Sequence, residues 1–388
     1  MDSRTTSLVR TTFKAVAAQE GGPEKLTSSF YAILFSNHPA TRDFFPAAMN
    51  QQRERLVAAL AHVVDGLEDL ESLLPYLEQL GRDHRKFGVE PRHYAAVGES
   101  LLTALRTYTS GTEIWTDEVN QAWTDVIGLI AGTMIDAANS DRTPPVWGGV
   151  VVQHQQPLRD LAIVRLQLSE PMGYSAGQYV SVQIPARPRM WRYLTPAVPA
   201  NEHGEIEFHV RAVTGGWVSP SIVGHTKIGD QWLLGAPIGG LGLPEESGQD
   251  MLMIGCGTGI TPFRAQVLAM AHRHSNPRVH LYVCGRHPCD LYDLDMLWQL
   301  SLTNPWLTVT PVTEEVDNPW WFDGADIPPP GGIHRRITGP ISRVVTESGA
   351  WTDRNVQIAG PPGMILTTKF RLMAAGVPKE NIRHDPIY

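Results

Sequence analysis

Two glycine-rich stretches in the last third of the chain carry the residue types needed to hold phosphate. Gly255-Cys256-Gly257-Thr258-Gly259-Ile260-Thr261-Pro262 follows a short apolar run and opens a helical pattern. Glycines there let the backbone approach a pyrophosphate, and a helix N-terminus supplies free N–H groups and a positive dipole end. Alone, such a turn also fits a strand–helix connection with no ligand. A second turn, Ala359-Gly360-Pro361-Pro362-Gly363-Met364, follows the run Val356–Ile358. In one parallel sheet both turns fall at the carboxyl edge of the strands, where ligands bind. The candidate contacts are Gly255, Gly257, Thr258, Gly259, Thr261, Pro262, Gly360, Pro361 and Gly363. Arg286, after the next strand, is suited to a 2′-phosphate and equally to a solvated surface.

Upstream, Arg192-Tyr193-Leu194-Thr195-Pro196-Ala197 joins a cation to a hydroxyl, and Gly215-Gly216-Trp217-Val218-Ser219 follows on a later turn. A guanidinium and backbone N–H groups suit a diphosphate. Taken singly, they also fit a surface arginine and an ordinary Gly-Gly turn. In the first third, which has no cysteine, His84 is the leading candidate for a metal ligand. A neutral imidazole can ligate a metal ion.

These groups need elements to position them. Leu77, Leu80 and His84 fall on one helix face, with Pro91 suited to the first turn of the next helix. Tyr94, Val97, Leu101 and Leu105 form one apolar stripe, and Trp123, Ile127, Ile130 and Met134 another. Residues 1–145 hold 7 Pro and 9 Gly, against 23 Pro and 26 Gly in the rest. The first part therefore reads as an all-α bundle or globin-like packing, ending at Thr143-Pro144-Pro145. Short alternating runs such as Ile163–Leu168 and Ile206–Val210 predict a small antiparallel barrel over 147–243. From Asp250, strand, glycine turn, helix and strand succeed one another, which predicts a mostly parallel α/β sheet over 249–388. The fold class is thus α, then β, then α/β, with the first domain at 1–143.

The chain has 388 residues, 42% hydrophobic and 19% charged, with a formal charge of −8, so a basic nucleic-acid surface is not expected. No apolar stretch approaches the roughly 20 residues that span a bilayer. Three cysteines, Cys256, Cys284 and Cys289, give no zinc-type cluster or disulfide framework, which suits a reducing cytoplasm.

The ordered set Arg-x-x-Thr, Gly-x-Val-Ser, Gly-x-Gly-x-Thr-Pro and Gly-Pro-x-Gly resembles the ferredoxin-reductase-type FAD/NAD(P)H module over 147–388. The stretch Leu73-Leu74-Pro75 to His84 and Pro91-Arg92-His93-Tyr94 resembles the proximal region of flavohaemoglobins. Phe30-Tyr31, Phe44-Phe45 and Gln52-Arg53-Glu54 fall where that family has its distal Tyr, haem-packing Phe and distal Gln. The whole chain is therefore identified as a member of the flavohaemoglobins, of a divergent subclass. The resemblance implies haem b held by His84, with Tyr94 as a group hydrogen-bonding near the imidazole. It implies Tyr31 and Gln52 as ligand-stabilising groups, and Phe45 and Leu56 as apolar pocket walls. FAD would be held by Tyr179, Arg192, Tyr193, Leu194, Thr195, Gly216, Trp217, Val218 and Ser219. Electrons would pass from NAD(P)H to FAD to haem, with O2 and nitric oxide converted to nitrate. A monomer is expected, with a dimer left open. Two alternatives stand beside this: a different donor such as a small hydroxy acid, and a haem-based O2/NO sensor or carrier with a vestigial reductase.

Three departures from the family pattern bear on rate. Ala138 stands where the family has a Glu on the last globin helix; Asp136, two residues back, points about 200° away. Asp83 precedes His84 where a Lys is usual. Leu194 replaces a flavin-stacking Tyr, and Tyr193 beside it faces the other side of a strand. At the nicotinamide side, Ala359, Met364 and Ile387 replace Cys, Phe and an aromatic, and Tyr388 closes the chain.

Overall fold

The computed structural model describes residues 2–109, 113–243, 248–324 and 335–386. Two compact units divide the chain: residues 1–146 with 188–190, and the remainder.

The first unit is all-helical: α1 (Ser3–Ala17), α2 (Gly22–Asn37), α3 (Asn50–Gly66), α4 (Leu70–His84), α5 (Pro91–Tyr108) and α6 (Asp117–Ser140). Local chemistry sets the starts. The Asp2 and Asp69 carboxylates and the Thr116 hydroxyl accept N–H bonds from Thr5, Ser72 and Val119, and Pro91 takes the first position of α5. The apolar faces meet in one core, where Leu34, Leu77, Leu105 and Val126 are wholly buried around Trp123. Of the expected α5 stripe, Leu101 and Leu105 are buried while Val97 stays exposed at the core's edge. α4 crosses α6 at Gly81, where a Cβ would sit 2.3 Å from the Met134 carbonyl oxygen. Only a residue without a side chain allows that approach, and it fixes the last turn of α4, which carries His84.

The second unit begins with six antiparallel strands: β1 (Trp147–Leu158), β2 (Leu161–Leu168), β3 (Tyr179–Gln183), β4 (Arg192–Leu194), β5 (Glu205–Arg211) and β6 (Gln231–Ile238). Their order is β4-β3-β6-β1-β2-β5. A bridge between Pro196 and Phe208 joins the segment after β4 to β5, so the sheet curls toward closure and its two edges are covered. α7 (Ser219–His225) follows the Gly215-Gly216 turn.

The parallel half comprises β7 (Met251–Cys256), α8 (Thr261–Ala271), β8 (Val279–Gly285), α9 (Leu294–Thr303), β9 (Leu307–Thr313), β10 (Ile337–Thr338), α10 (Ile341–Ser348), β11 (Asn355–Ala359), α11 (Pro362–Ala374) and β12 (Ile382–Arg383). The order is β10-β9-β8-β7-β11-β12. Met251 and Met253 face the layer of α8 and α9, and Leu252 and Ile254 the layer of α10 and α11. The chain winds outward from β7 in one direction and returns on its other side with β11, which makes β7/β11 the switch point of the sheet. Among the described residues no helix is long and apolar enough to cross a membrane.

Candidate functional site

The helical unit gathers its polar candidates around α2, α3 and α4. Tyr31 is buried on α2 with its ring edge-on to Phe30 and Phe45, at centroid distances of 4.8 and 5.4 Å. Burial pushes its hydroxyl up to about 12, against the pull of a hydrogen bond with the Gln52 side chain. Tyr31 therefore stays protonated and available as a donor, and Gln52 from α3 is its partner. Phe45 and Leu56 pack on the same core.

His84 ends α4. Its Nδ1 lies 2.7 Å from the Leu80 carbonyl oxygen, which can only accept, so Nδ1 carries the proton. Nε2, left as the basic nitrogen, makes no hydrogen bond among the described residues. Desolvation pushes the imidazole's pKa down, opposed by the neighbouring Asp83, so the ring favours the neutral form that a metal ligand requires. Asp83 is itself buried and paired with Lys86 at 2.6 Å. The other histidines of this unit have structural surroundings. His93 Nδ1 accepts the Glu90 N–H at the start of α5, His62 packs edge-on to Tyr76, and His38 lies 3.9 Å from Glu99. Tyr94 departs from the expectation that it bonds near the proximal ring. Its hydroxyl is buried with no partner among the described residues, and His84 Nδ1 is bonded to the Leu80 carbonyl, one turn back on α4, instead. Asp136 is exposed and Ala138 partly buried, so no carboxylate from α6 takes up that role. A protonated Nδ1, a free basic Nε2, an orphaned buried Tyr94 hydroxyl and a Tyr31–Gln52 pair fit a haem.

In the barrel, Tyr179 opens β3 and Tyr193 lies on β4, their rings 5.0 Å apart and edge-on. Ser181 pairs with Tyr193 and Val180 with Leu194. Tyr193 thus shares a face with Tyr179, while Arg192 and Leu194 share the opposite one. Tyr193 does not stand in for residue 194. Thr195 follows at the strand's end. Gly215 takes φ +77°, and the Ser219 hydroxyl, at the head of α7, accepts the Val213 N–H at 3.1 Å. Gly216 and Val218 shape this turn, and Trp217 stands 65% exposed. The Gly215 turn borders open space, as a diphosphate cradle requires.

The two glycine turns come together at the switch point. A Cβ on Gly259 would lie 2.4 Å from the Ala359 carbonyl oxygen, so the first turn is pressed against the second. Gly257 adopts φ +57° and opens α8 through Gly257–Ile260, with Thr261 and Pro262 in its first turn. Gly257 and Gly363 both border open space, and Pro361 caps α11. Two helix N-termini flanking open backbone fit a dinucleotide phosphate. Arg286 is exposed, and its N–H donates to Asp290 at 3.0 Å. Ile387 and Tyr388 lie outside the described residues. Nearby, Asp385 accepts the Gly240 N–H at 3.1 Å, and burial lifts its carboxyl to about 6.

Sequence reasoning missed a buried polar network between barrel and parallel sheet. Arg264 of α8 donates to the Ala197 carbonyl at 2.6 Å and pairs with Glu207 at 3.2 Å and Asp293 at 2.9 Å. Burial pushes the Glu207 carboxyl up, but bonds from His209 and Arg165 and the Arg264 charge outweigh it and hold it at about 2. Ionised Glu207 accepts from His209 Nε2, and His209 Nδ1 lies 2.9 Å from the Tyr292 hydroxyl. Arg211 pairs with Asp290 at 2.8 Å. One signal was present: Arg264 lies in the first turns of a helix, where the dipole disfavours a cation unless an acid holds it.

Three family models match in order: globin over residues 28–134, an oxidoreductase FAD-binding domain over 149–242 and an oxidoreductase NAD-binding domain over 253–327. The class is thus a globin joined to a flavin- and nicotinamide-dependent oxidoreductase. A flavohemoprotein of Bacillus anthracis is 30% identical over 305 residues, 72% of this chain and 73% of that protein, and one of Bacillus cereus is 28% identical with the same coverage. The chain belongs to the flavohemoprotein family. Among solved structures, the flavohemoglobin of Malassezia yamatoensis, described with bound FAD and heme, aligns with a TM-score of 0.78 at 18% identity over 99% of this chain and 98% of that one. The ferredoxin reductase of carbazole 1,9a-dioxygenase aligns at 0.54 and 25% identity over 64% of this chain and 71% of its own.

Proposed function

We propose that the protein is an NAD(P)H-dependent nitric oxide dioxygenase. Bound together, the nicotinamide, flavin and haem supply hydride transfer, its division into single electrons, and the conversion of O2 and nitric oxide to nitrate. The observation that carries this reading is the Tyr31–Gln52 pair in the same helical unit as a neutral His84 with a basic Nε2.

His84 is read as the iron ligand, fixed by Leu80 in the Nδ1–H tautomer. Tyr31, kept protonated by burial and held beside Gln52, would supply an O–H donor for a bound polar diatomic. Phe45 and Leu56 exclude water. Tyr94, by the family resemblance, would bring its unpartnered hydroxyl to the proximal side. Arg192, Thr195, Ser219 and the Gly216–Val218 backbone would hold the FAD diphosphate, and Tyr179 its apolar body. Gly255, Thr258, Gly259, Thr261 and the Gly360–Gly363 turn would hold the nicotinamide dinucleotide, with Arg286 at its edge. We assign the domains as 1–143, 147–243 and 249–388, and the protein as cytoplasmic and without nucleic-acid partners, a monomer being expected and a dimer left open.

An anaerobic absorbance spectrum before and after NADH tests the electron path. Flavin bleaching followed by ferric-to-ferrous conversion, then nitric oxide consumption under O2, is expected. Cofactors that stay oxidised overturn the nicotinamide assignment.

A further inference from the structure

Cys256 and Cys284 are partners in register on the neighbouring parallel strands β7 and β8. Both face the α10/α11 layer, where Cys284 is buried and Cys256 is packed but only half-buried. Strand spacing therefore sets their Cα atoms about 4.8 Å apart, inside the range that a disulfide spans. The third cysteine, Cys289, is elsewhere, packed with Leu158 and Leu161. Cys256 is also the residue between Gly255 and Gly257, and its Cβ lies 3.1 Å from where a Cβ on Gly360 would be. The pair thus stands directly beneath both glycine turns. The thiols sense one another: burial and the neighbouring Cys256 both push the Cys284 thiol well above the ordinary cysteine range, so Cys284 is inert until a partner sulfur is activated beside it.

We propose that Cys256 and Cys284 form a redox-active dithiol that closes on reaction with a low-molecular-weight disulfide and thereby weakens dinucleotide binding. The second half rests on the reading of residues 255–261 and 360–363 as the nicotinamide site. The half-buried Cys256 sulfur, as thiolate, attacks one sulfur of the small disulfide; that S–S bond breaks and a small thiol leaves. Cys284 then loses its proton and attacks the Cys256 sulfur. The protein S–S bond forms and the second small thiol departs with the proton. Two electrons move from the protein dithiol to the small disulfide. In-register parallel strands hold Cβ atoms near the strand spacing, whereas a disulfide draws them to about 3.5–4.5 Å. Closure therefore pulls Cys256 toward β8 and away from Gly360, distorting the turn that begins at Gly257.

The test treats the folded holoprotein with 4,4′-dithiodipyridine, whose thiopyridone product absorbs away from the haem Soret band. Two thiopyridones released per chain, no retained pyridyl adduct and a Cys256–Cys284 cross-linked peptide are expected. The KM for NADH should rise severalfold and return with dithiothreitol. Cys284→Ser should release one thiopyridone and keep the adduct on Cys256, while Cys289→Ser should behave like the parent. A parent protein that retains the adduct, fails to react while folded, or cross-links through Cys289 overturns the dithiol. A cross-link that leaves the KM unmoved overturns its effect on binding. Failure of the untreated protein to oxidise NADH would strike the nicotinamide reading and leave the thiol count intact.

Discussion

Arg264, the fourth residue of α8, donates from Nη1 to the carbonyl oxygen of Ala197, two residues beyond Thr195. The helix that starts at the dinucleotide turn is thereby tied to the strand end that carries the flavin motif. Arg264 also sits between the carboxylates of Glu207 and Asp293. Removing it leaves two acids buried without their shared cation. Arg264→Ala should destabilise the second unit by about 3–5 kcal/mol, the usual cost of breaking a buried ion pair on one side. Denaturant unfolding followed by flavin fluorescence checks this, and Arg264→Lys should recover part of the loss because a single ammonium cannot reach all three oxygens.

Two carboxyls give the stability profile opposite slopes with pH. Glu207 is held at about 2, below its ordinary value of 4.5, so its contribution is complete above 4.5 and is lost as pH falls toward 2. Asp385 is raised from 3.8 to about 6, so its contribution is complete below 3.8 and is lost as pH rises through 6. Melting temperatures measured from pH 3 to 8 should therefore show Glu207→Gln flattening the acid limb. Asp385→Asn, which keeps the acceptor for Gly240, should flatten the fall between about pH 4 and 6. Parallel curves for parent and variants would refute both assignments.

The order of domains, the helical periodicities and both glycine turns are legible in the sequence because each is local: a period, a cap or a turn residue. The Glu207 network is not. On β5 the alternation of Ile206, Phe208 and Val210 with Glu207, His209 and Arg211 reads as one apolar and one solvated face. The structure buries Glu207 and His209 to 4–5% exposure. A period of two tells which residues share a face, but not what covers it, and here Arg264, Tyr292 and Asp290 do, from segments some 55–85 residues away in the chain. The same limit applies to Tyr94, whose place on α5 was readable while the prior claim of Leu80 on His84 was not.

Gly259 offers a selective lesion. A methyl group there meets the Ala359 carbonyl oxygen at 2.4 Å, which is backbone and cannot swing aside. Gly259→Ala should raise the KM for NADH at least tenfold, about 1.4 kcal/mol of binding, while haem and FAD content stay at parental levels. Cofactor content from the visible spectrum and initial rates against NADH concentration separate this from general misfolding.

His84→Ala should abolish stable haem binding and leave FAD bound, since His84 alone of the four helical-unit histidines keeps a basic nitrogen fixed by a backbone carbonyl one turn back. A variant that retains the parental Soret band would show that another residue holds the iron. His62 and His93 serve as controls, and their alanine variants should keep the haem.

Tyr31→Phe keeps the ring that packs against Phe30 and Phe45 and removes only the hydroxyl partnered by Gln52. The lost donor is worth about 1–1.5 kcal/mol, so the O2 affinity of the reduced protein should fall about tenfold. The apolar ligand carbon monoxide gains little from a hydrogen bond and should bind with nearly unchanged affinity. Flash photolysis of both ligands gives the comparison. Equal losses for O2 and carbon monoxide would mean that Tyr31 acts by shape alone, and that its hydroxyl is turned to Gln52 rather than to the iron.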